Sequence, residues 1–178
     1  MKNKSAIVSL LLILILFSAC NQKENINTPK LKEITPFTYC AIEVTGSWNQ
    51  YNDAVLQLEQ EVKKQNIAVS GNVISIWRSY PDITEEKDYN WEVGFKVSKE
   101  TALKSPLVLK HWKTKKLYSQ TYDGAAKGVT SFFKNYWSWF DTNKLKVVRP
   151  LLEIGVPKKE VGEGESKFEA LVFAVKKD

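Results

Sequence analysis

The groups with which this chain of 178 residues could do chemistry are few: two cysteines, one histidine, and carboxylates set among many aromatic rings. Cys40 stands in the apolar run FTYCAIEV and reads as a small buried hydrophobe. Cys40 and His111 could in principle form a nucleophile and base, yet nothing local would hold the thiolate. A single histidine excludes His-rich metal sites and leaves no His/Cys cluster with ligand spacing, so neither a metal nor a cofactor is expected. Among the carboxylates, Glu153 draws most interest. Alternation along Lys146 to Val156 places it with Val147, Arg149, Leu151 and Gly155, opposite Val148, Leu152, Ile154 and Val156. An anion in apolar surroundings is costly unless it is paired or met by a cationic ligand. Glu153 thus reads as the base of a site, as a solvated strand glutamate, or as a partner of Arg149 or Arg78. Glu92 alternates with aromatic neighbours and points away from them, which suits a surface or cross-strand partner for a lysine better than a second acidic group in a cleft.

Six tryptophans, seven tyrosines and eight phenylalanines make up 12% of the chain, above the common range. Aromatic faces bind flat apolar rings and cations. A cleft lined with them would draw on Trp77, Tyr80, Trp91, Tyr122 or Trp139. The competing use is simple core filling, above all for Trp137 and Trp139, which flank the apolar stripe of a helix. Lys110 to Lys116 (KHWKTKK) is the one basic cluster, better read as a solvated hairpin tip than as a contact for anionic lipid.

The elements that must position these groups follow from periodicity. Phe37 to Val44 reads as a strand, broken by Gly46, and Asn49 to Gln65 as a helix with Tyr51, Val55, Leu58 and Val62 on one face. Ser70-Gly71-Asn72 signals a turn, Val73 to Tyr80 a second strand, and Pro81 to Asp88 a polar loop. Tyr89 to Ser98 alternates strictly and is the clearest strand. The second half repeats the order. Strand-like pieces at Pro106 to Trp112 and Leu117 to Tyr122 precede a turn at Asp123-Gly124. A helix from Ala125 to Asp141 carries Val129, Phe132, Phe133, Tyr136, Trp137 and Phe140 on its stripe. Strands at Lys146 to Val156 and Phe168 to Val175 follow, joined by the loop Pro157 to Lys167. Two β-α-β-β units of similar length imply an internal duplication of architecture, with no matching residues evident between them.

The N-terminus is of another kind. Lys2 and Lys4 precede an uncharged run of 12 residues, Ala6 to Phe17, the length of a signal-peptide core and too short to span a bilayer. Phe17-Ser18-Ala19-Cys20 resembles the lipobox of bacterial lipoproteins, which implies cleavage after Ala19, lipid such as palmitate on Cys20, and a protein exported and anchored to a bacterial cell membrane. Residues 20–35 read as the lipidated cysteine and a polar tether, with a reach of at most about 50 Å. The fold then occupies 36–178. The net charge of +6, reduced by two when Lys2 and Lys4 leave with the leader, is a solubility margin rather than the footprint of a nucleic-acid binder.

The repeated strand-helix-strand-strand order, Tyr122-Asp123-Gly124 before the second helix, Trp137, Trp139 and Phe140 near its end, and the run Arg149-Pro150-Leu151-Leu152-Glu153-Ile154 together resemble the GyrI-like small-molecule-binding domain. The same domain serves as the effector-binding domain of some bacterial transcription activators. The likeness covers about Glu33 to Asp178. It implies an α+β fold of duplicated β-α-β-β units: one curved antiparallel sheet, two helices on one face, and a central cleft where the repeats meet. It also implies that Glu153 lies at the base of an aromatic-lined cleft for cationic or polar ligands. The family often has an aromatic two residues after that glutamate, where this chain has Gly155, so a different cleft floor is expected.

The reading that follows is a membrane-anchored protein that captures an amphipathic or cationic small molecule, with Glu153, Trp139, Trp77, Trp91, Tyr80 and Tyr122 as binding residues and no catalytic residue assigned. The alternatives are a hydrolase of small electrophiles with Glu153 as base and Tyr122 or Tyr136 as helper, and a structural or partner-binding lipoprotein. Haem, which would lean on His111 alone, ranks lower. No nucleic-acid partner is expected.

Overall fold

Strict alternation from Asn90 to Val97 and a three-four stripe from Tyr51 to Val62 set the ground plan of the computed structural model, which describes residues 28–155 and 164–177. The leader, Cys20, most of the tether and the greater part of the loop after Gly155 lie outside the described residues. Ten elements follow one another: β1 (Lys30–Glu33), β2 (Phe37–Thr45), α1 (Tyr51–Lys64), β3 (Ser70–Trp77), β4 (Asn90–Val97), β5 (Val108–Trp112), β6 (Lys116–Ala125), α2 (Val129–Thr142), β7 (Leu145–Gly155) and β8 (Glu165–Lys176). No helix among the described residues is long and apolar enough to cross a membrane.

The eight strands form one antiparallel sheet in the order β1-β6-β8-β7-β3-β4-β2-β5. Its curvature follows from chain length. β1 and β2 lie six strand spacings apart, about 29 Å if the sheet were flat, yet Ile34 to Pro36 alone join them, a path of at most about 14 Å. The same holds for β5 and β6, joined by Lys113 to Lys115. The sheet must therefore curl until its two ends approach, and the two links touch where the Ile34 N–H donates to the Lys115 carbonyl at 2.7 Å.

One face carries both helices. Leu58 and Val62 of α1 and Phe132, Tyr136 and Phe140 of α2 pack there on Cys40, Val73, Trp91, Val93, Ala170 and Val172. The other face, enclosed by the curl, holds Tyr39, Ile74, Ile76, Trp112, Leu117, Leu152 and Leu171. Burying each such side chain contributes roughly 1.5–3 kcal/mol.

The expected duplication is present, with one constant offset from the helices through β3 and β7. The helices run 51–64 and 129–142, each 78 residues from its counterpart, and β3 and β7 end at 77 and 155, again 78 apart. Asn66 and Lys144, also 78 apart, both adopt φ 53° just past a helix end, where a left-handed residue closes the last turn. The first strand of each repeat pairs with the other repeat, β1 on β6 and β5 on β2. Between the repeats β3 pairs with β7, placing Ser75 opposite Glu153.

Three expectations need correction. Ser70-Gly71-Asn72 is not a turn between elements but the irregular start of β3, where the register against β4 shifts and Gly71 takes φ 74°. The stretch read as tether ends in the edge strand β1, whose partner β6 supplies the backbone hydrogen bonds that four residues with one aliphatic side chain could not organise alone. Asp123-Gly124 is not a turn: β6 continues through it to Ala125, held along its length by β8.

Candidate functional site

Where β3 and β7 meet, the helix-bearing face looks into the gap between α1 and α2. Trp77 on β3 and Arg149, Leu151 and Glu153 on β7 project into a cavity of about 510 Å³, within the size range of small-molecule pockets. The first repeat adds Trp48, Tyr51 and Pro81. The second adds Val129, Thr130, Phe133 and Trp137 from α2 and its approach, and Ser166 from β8.

Rings on the first-repeat side form a stack. Tyr51 lies 5.9 Å from Trp77 and 6.2 Å from Trp91, these two tryptophans are 5.2 Å apart, and Trp48 meets Trp77 edge-on at 5.6 Å. The opposite wall is Phe133 stacked on Trp137 at 5.8 Å and on Phe168 at 5.7 Å. Such offset and edge contacts add about 0.5–1.5 kcal/mol each beyond burial and fix the ring planes that a ligand would meet.

The polar groups are sparse. Glu153 is only 6% exposed. The Tyr51 hydroxyl lies 3.1 Å from Ser75 Oγ, and burial, with a further contribution from the Glu153 charge, pushes its pKa up to about 12. Arg149 lays its guanidinium over two rings, 5.4 Å from the centre of Tyr80 and 5.5 Å from that of Trp137, while its backbone N–H donates to the Tyr80 hydroxyl at 3.0 Å. Burial pulls the Arg149 pKa below its usual value. The Trp77 indole N–H is buried with no acceptor among the described residues.

Of the six residues expected to bind ligand, Glu153 and Trp77 line the cavity, and Trp91, Tyr80, Tyr122 and Trp139 do not. Trp91 lies behind Trp77, fully buried, its indole donating to the Gly46 carbonyl at 3.0 Å. Tyr80 holds Arg149 rather than the cavity itself. Tyr122 packs on Phe132 and Phe168, its hydroxyl donating to the Ala125 carbonyl at 2.5 Å. Trp139 sits against Tyr118 and Phe140, because two residues advance a helix by about 200° and only Trp137 faces the other repeat. Tyr136 is also remote, donating to the Tyr118 carbonyl at 2.9 Å. Tyr51, Phe133 and Arg149 were not legible as cavity residues. The helical stripes marked the first two only as core, and Arg149 stood out only as a partner for Glu153.

Gly155 has a physical explanation. A Cβ there would lie 2.6 Å from both the Lys167 carbonyl oxygen and Phe168 Cβ, so the close approach of β8 leaves no room for an aromatic at 155. Glu92 belongs to the other face, where it is 2% exposed. It accepts from Tyr39 Oη at 2.8 Å and Arg78 at 2.6 Å, and is paired with Lys110. The lysine partner expected of it is thus present, in a buried cluster rather than at the surface. Cys40 is buried with its thiol pKa raised by that burial, and His111 Nδ1 lies 3.0 Å from Thr38 Oγ1. No metal-ligand cluster occurs among the described residues.

The sequence profile of the GyrI-like small molecule binding domain matches residues 27–172. Among solved structures, the chain is similar to EcmrR in a cryo-EM complex with DNA, at 12% identity and TM-score 0.68. That alignment covers 96% of this chain but 65% of EcmrR, so the chain spans about two thirds of that protein. A hydrolase encoded by lin2189 of Listeria innocua aligns at 10% identity and TM-score 0.60, over 83% of this chain and 92% of that one. SAV2435, solved bound to tetraphenylphosphonium, aligns at 10% identity and TM-score 0.53, over 83% and 94%. These likenesses establish the fold. No curated protein sequence matches the chain.

Proposed function

The chain belongs to the GyrI-like family of small-molecule-binding domains, and on that premise we propose that it captures an amphipathic or cationic small molecule in the cavity between its repeats, with Glu153 at the cavity base. The observation that carries this reading is the buried Glu153 carboxylate in a wall otherwise built mainly of rings. Such a wall stabilises an apolar body by contact and a positive group by its carboxylate and ring faces. Tetraphenylphosphonium, the compound bound to the structural neighbour SAV2435, is the probe of choice. Added to the full-length protein it should raise the melting temperature by mass action. Glu153→Gln should weaken its binding about tenfold, and equal affinity in that variant would remove the role assigned to Glu153.

The proposal places this capture at a membrane, through lipid on Cys20. Metabolic labelling with palmitate should mark the wild-type chain and not Cys20→Ala, which should leave the membrane fraction. Label retained in that variant would refute the anchor.

A hydrolytic role has less support. Tyr51, rather than Tyr122 or Tyr136, is the tyrosine that shares the cavity with Glu153, and its raised pKa makes it a poor source or sink of protons near neutrality. Turnover of small electrophiles, abolished by Glu153→Gln, would establish that role.

A further inference from the structure

Arg149 gives the cavity a second charge, and that charge bears on which ligand fits. Its guanidinium lies over the rings of Tyr80 and Trp137. Among the described residues no carboxylate stands within ion-pair distance of it. A guanidinium carries five N–H donors in a planar fork suited to an oxyanion, and stacking on ring faces uses none of them. Burial draws the Arg149 pKa down, and the more distant charges of Asp82 and Glu153 offset that only in part. Glu153 stands four residues along the same strand and lines the same cavity. The register of β7 against β8 shifts between Val148 and Leu152, so the stretch from Arg149 to Glu153 is shorter than four extended residues and the two charges share one end of the cavity wall.

A ligand bearing only positive charge is attracted by Glu153 and repelled by Arg149. It also finds the face of Trp137 already taken by the protein's own cation. A purely anionic ligand meets the reverse conflict. We infer that the cavity is built for a zwitterionic small molecule with an aromatic or other apolar body, its anionic group seated on Arg149 and its cationic group turned toward Glu153. This deepens the proposed function and rests on it.

Three probes of one shape separate the two claims: a benzyl sulfobetaine, benzyltrimethylammonium and phenylmethanesulfonate, none of which forms micelles, each titrated into the full-length protein and followed by tryptophan fluorescence. The sulfobetaine should bind about tenfold tighter than either singly charged probe. Arg149→Gln should reduce its advantage over benzyltrimethylammonium to about twofold or less, while Arg149→Lys, which retains the charge and guards against loss of fold, should keep most of it. Benzyltrimethylammonium binding as tightly as the sulfobetaine to wild type would overturn the zwitterion inference and leave the cavity reading standing. Binding of none of the three, nor of tetraphenylphosphonium, would overturn both.

Discussion

Glu92 in the first repeat and Glu169 in the second occupy equivalent places. Glu92 is set beside Ile76 on β3, and Glu169 beside Ile154 on β7. Each receives a lysine from the edge strand that the other repeat contributes or borrows, Lys110 from β5 and Lys32 from β1, two residues 78 apart. The clasp is therefore duplicated, but its surroundings are not. Glu92 is 2% exposed and also bonds Tyr39 and Arg78, whereas the Glu169 side chain is 22% exposed and adds only Ser119. On the opposite face the divergence goes further. Ser75 stands where the second repeat has Glu153, and Trp77 where it has Gly155. Shared residues hold the frame at the outer strands, while the centre, where the repeats touch, has been free to become a one-sided cavity with one acid.

The two clasps should differ most under truncation. Glu92→Ala strips a buried carboxylate from Arg78 and Lys110 and leaves the buried Tyr39 hydroxyl without its acceptor, a change that costs about 1–3 kcal/mol. Glu169→Ala removes a partly solvated pair and should cost less than about 1 kcal/mol. Urea unfolding of the two variants reads the difference directly, and equal losses would mean that the duplication is energetic as well as geometric.

The frame was legible because periodicity survives divergence. Alternation from Tyr89 to Ser98 and the stripe from Val129 to Phe140 predicted β4 and α2 to within a few residues. The duplication at residue level was not, and packing explains why. Where α1 buries Ala54, Val55 and Leu58, the sheet beneath brings Trp77 and Trp91. Where α2 buries Phe132 and Tyr136, the sheet answers with Gly155 in the place of Trp77 and Phe168 in the place of Trp91. The same volume is filled from opposite sides, so identity is lost while total volume is kept, the kind of exchange that cores tolerate. The site was half legible for a related reason. Alternation could put Glu153 and Trp77 on a face. Choosing Trp137 over Trp139, or Arg149 as a cavity cation, requires knowing which flank of α2 and which end of β7 meet the other repeat.

This exchange can be broken at Gly155. An aromatic there collides with Phe168 and the backbone of Lys167, so Gly155→Phe should destabilise by about 3 kcal/mol. The atoms that obstruct residue 155 are Phe168 Cβ and Cα and the Lys167 carbonyl oxygen, all of which Phe168→Ala keeps, so Phe168→Ala should not rescue Gly155→Phe in a double-mutant cycle. A double variant more stable than Gly155→Phe alone would show that the ring of Phe168, rather than the close approach of the two strands, sets the limit at 155.

The repeats also differ in what their helices send into the cavity, Tyr51 from α1 and Val129 at the matching place on α2. That difference has a pH signature. Burial raises the Tyr51 pKa from 10 to about 12, so between those values the unfolded chain gives up this proton and the folded chain keeps it. Unfolding then releases a proton, and stability that is fully present below pH 10 is lost as pH rises toward 12, roughly 2–3 kcal/mol for this one group. Tyr39 and Tyr136, raised further by burial, fall away in the same direction, so the wild-type curve alone does not isolate Tyr51. The difference between wild type and Tyr51→Phe does. Below pH 10 it holds a constant value set by the contacts the hydroxyl loses, that with Ser75 among them, and above pH 10 the variant should gain on wild type by up to about 1.4 kcal/mol per pH unit. A parallel offset at all pH values would place the Tyr51 hydroxyl in water, and with it open the first-repeat wall of the cavity.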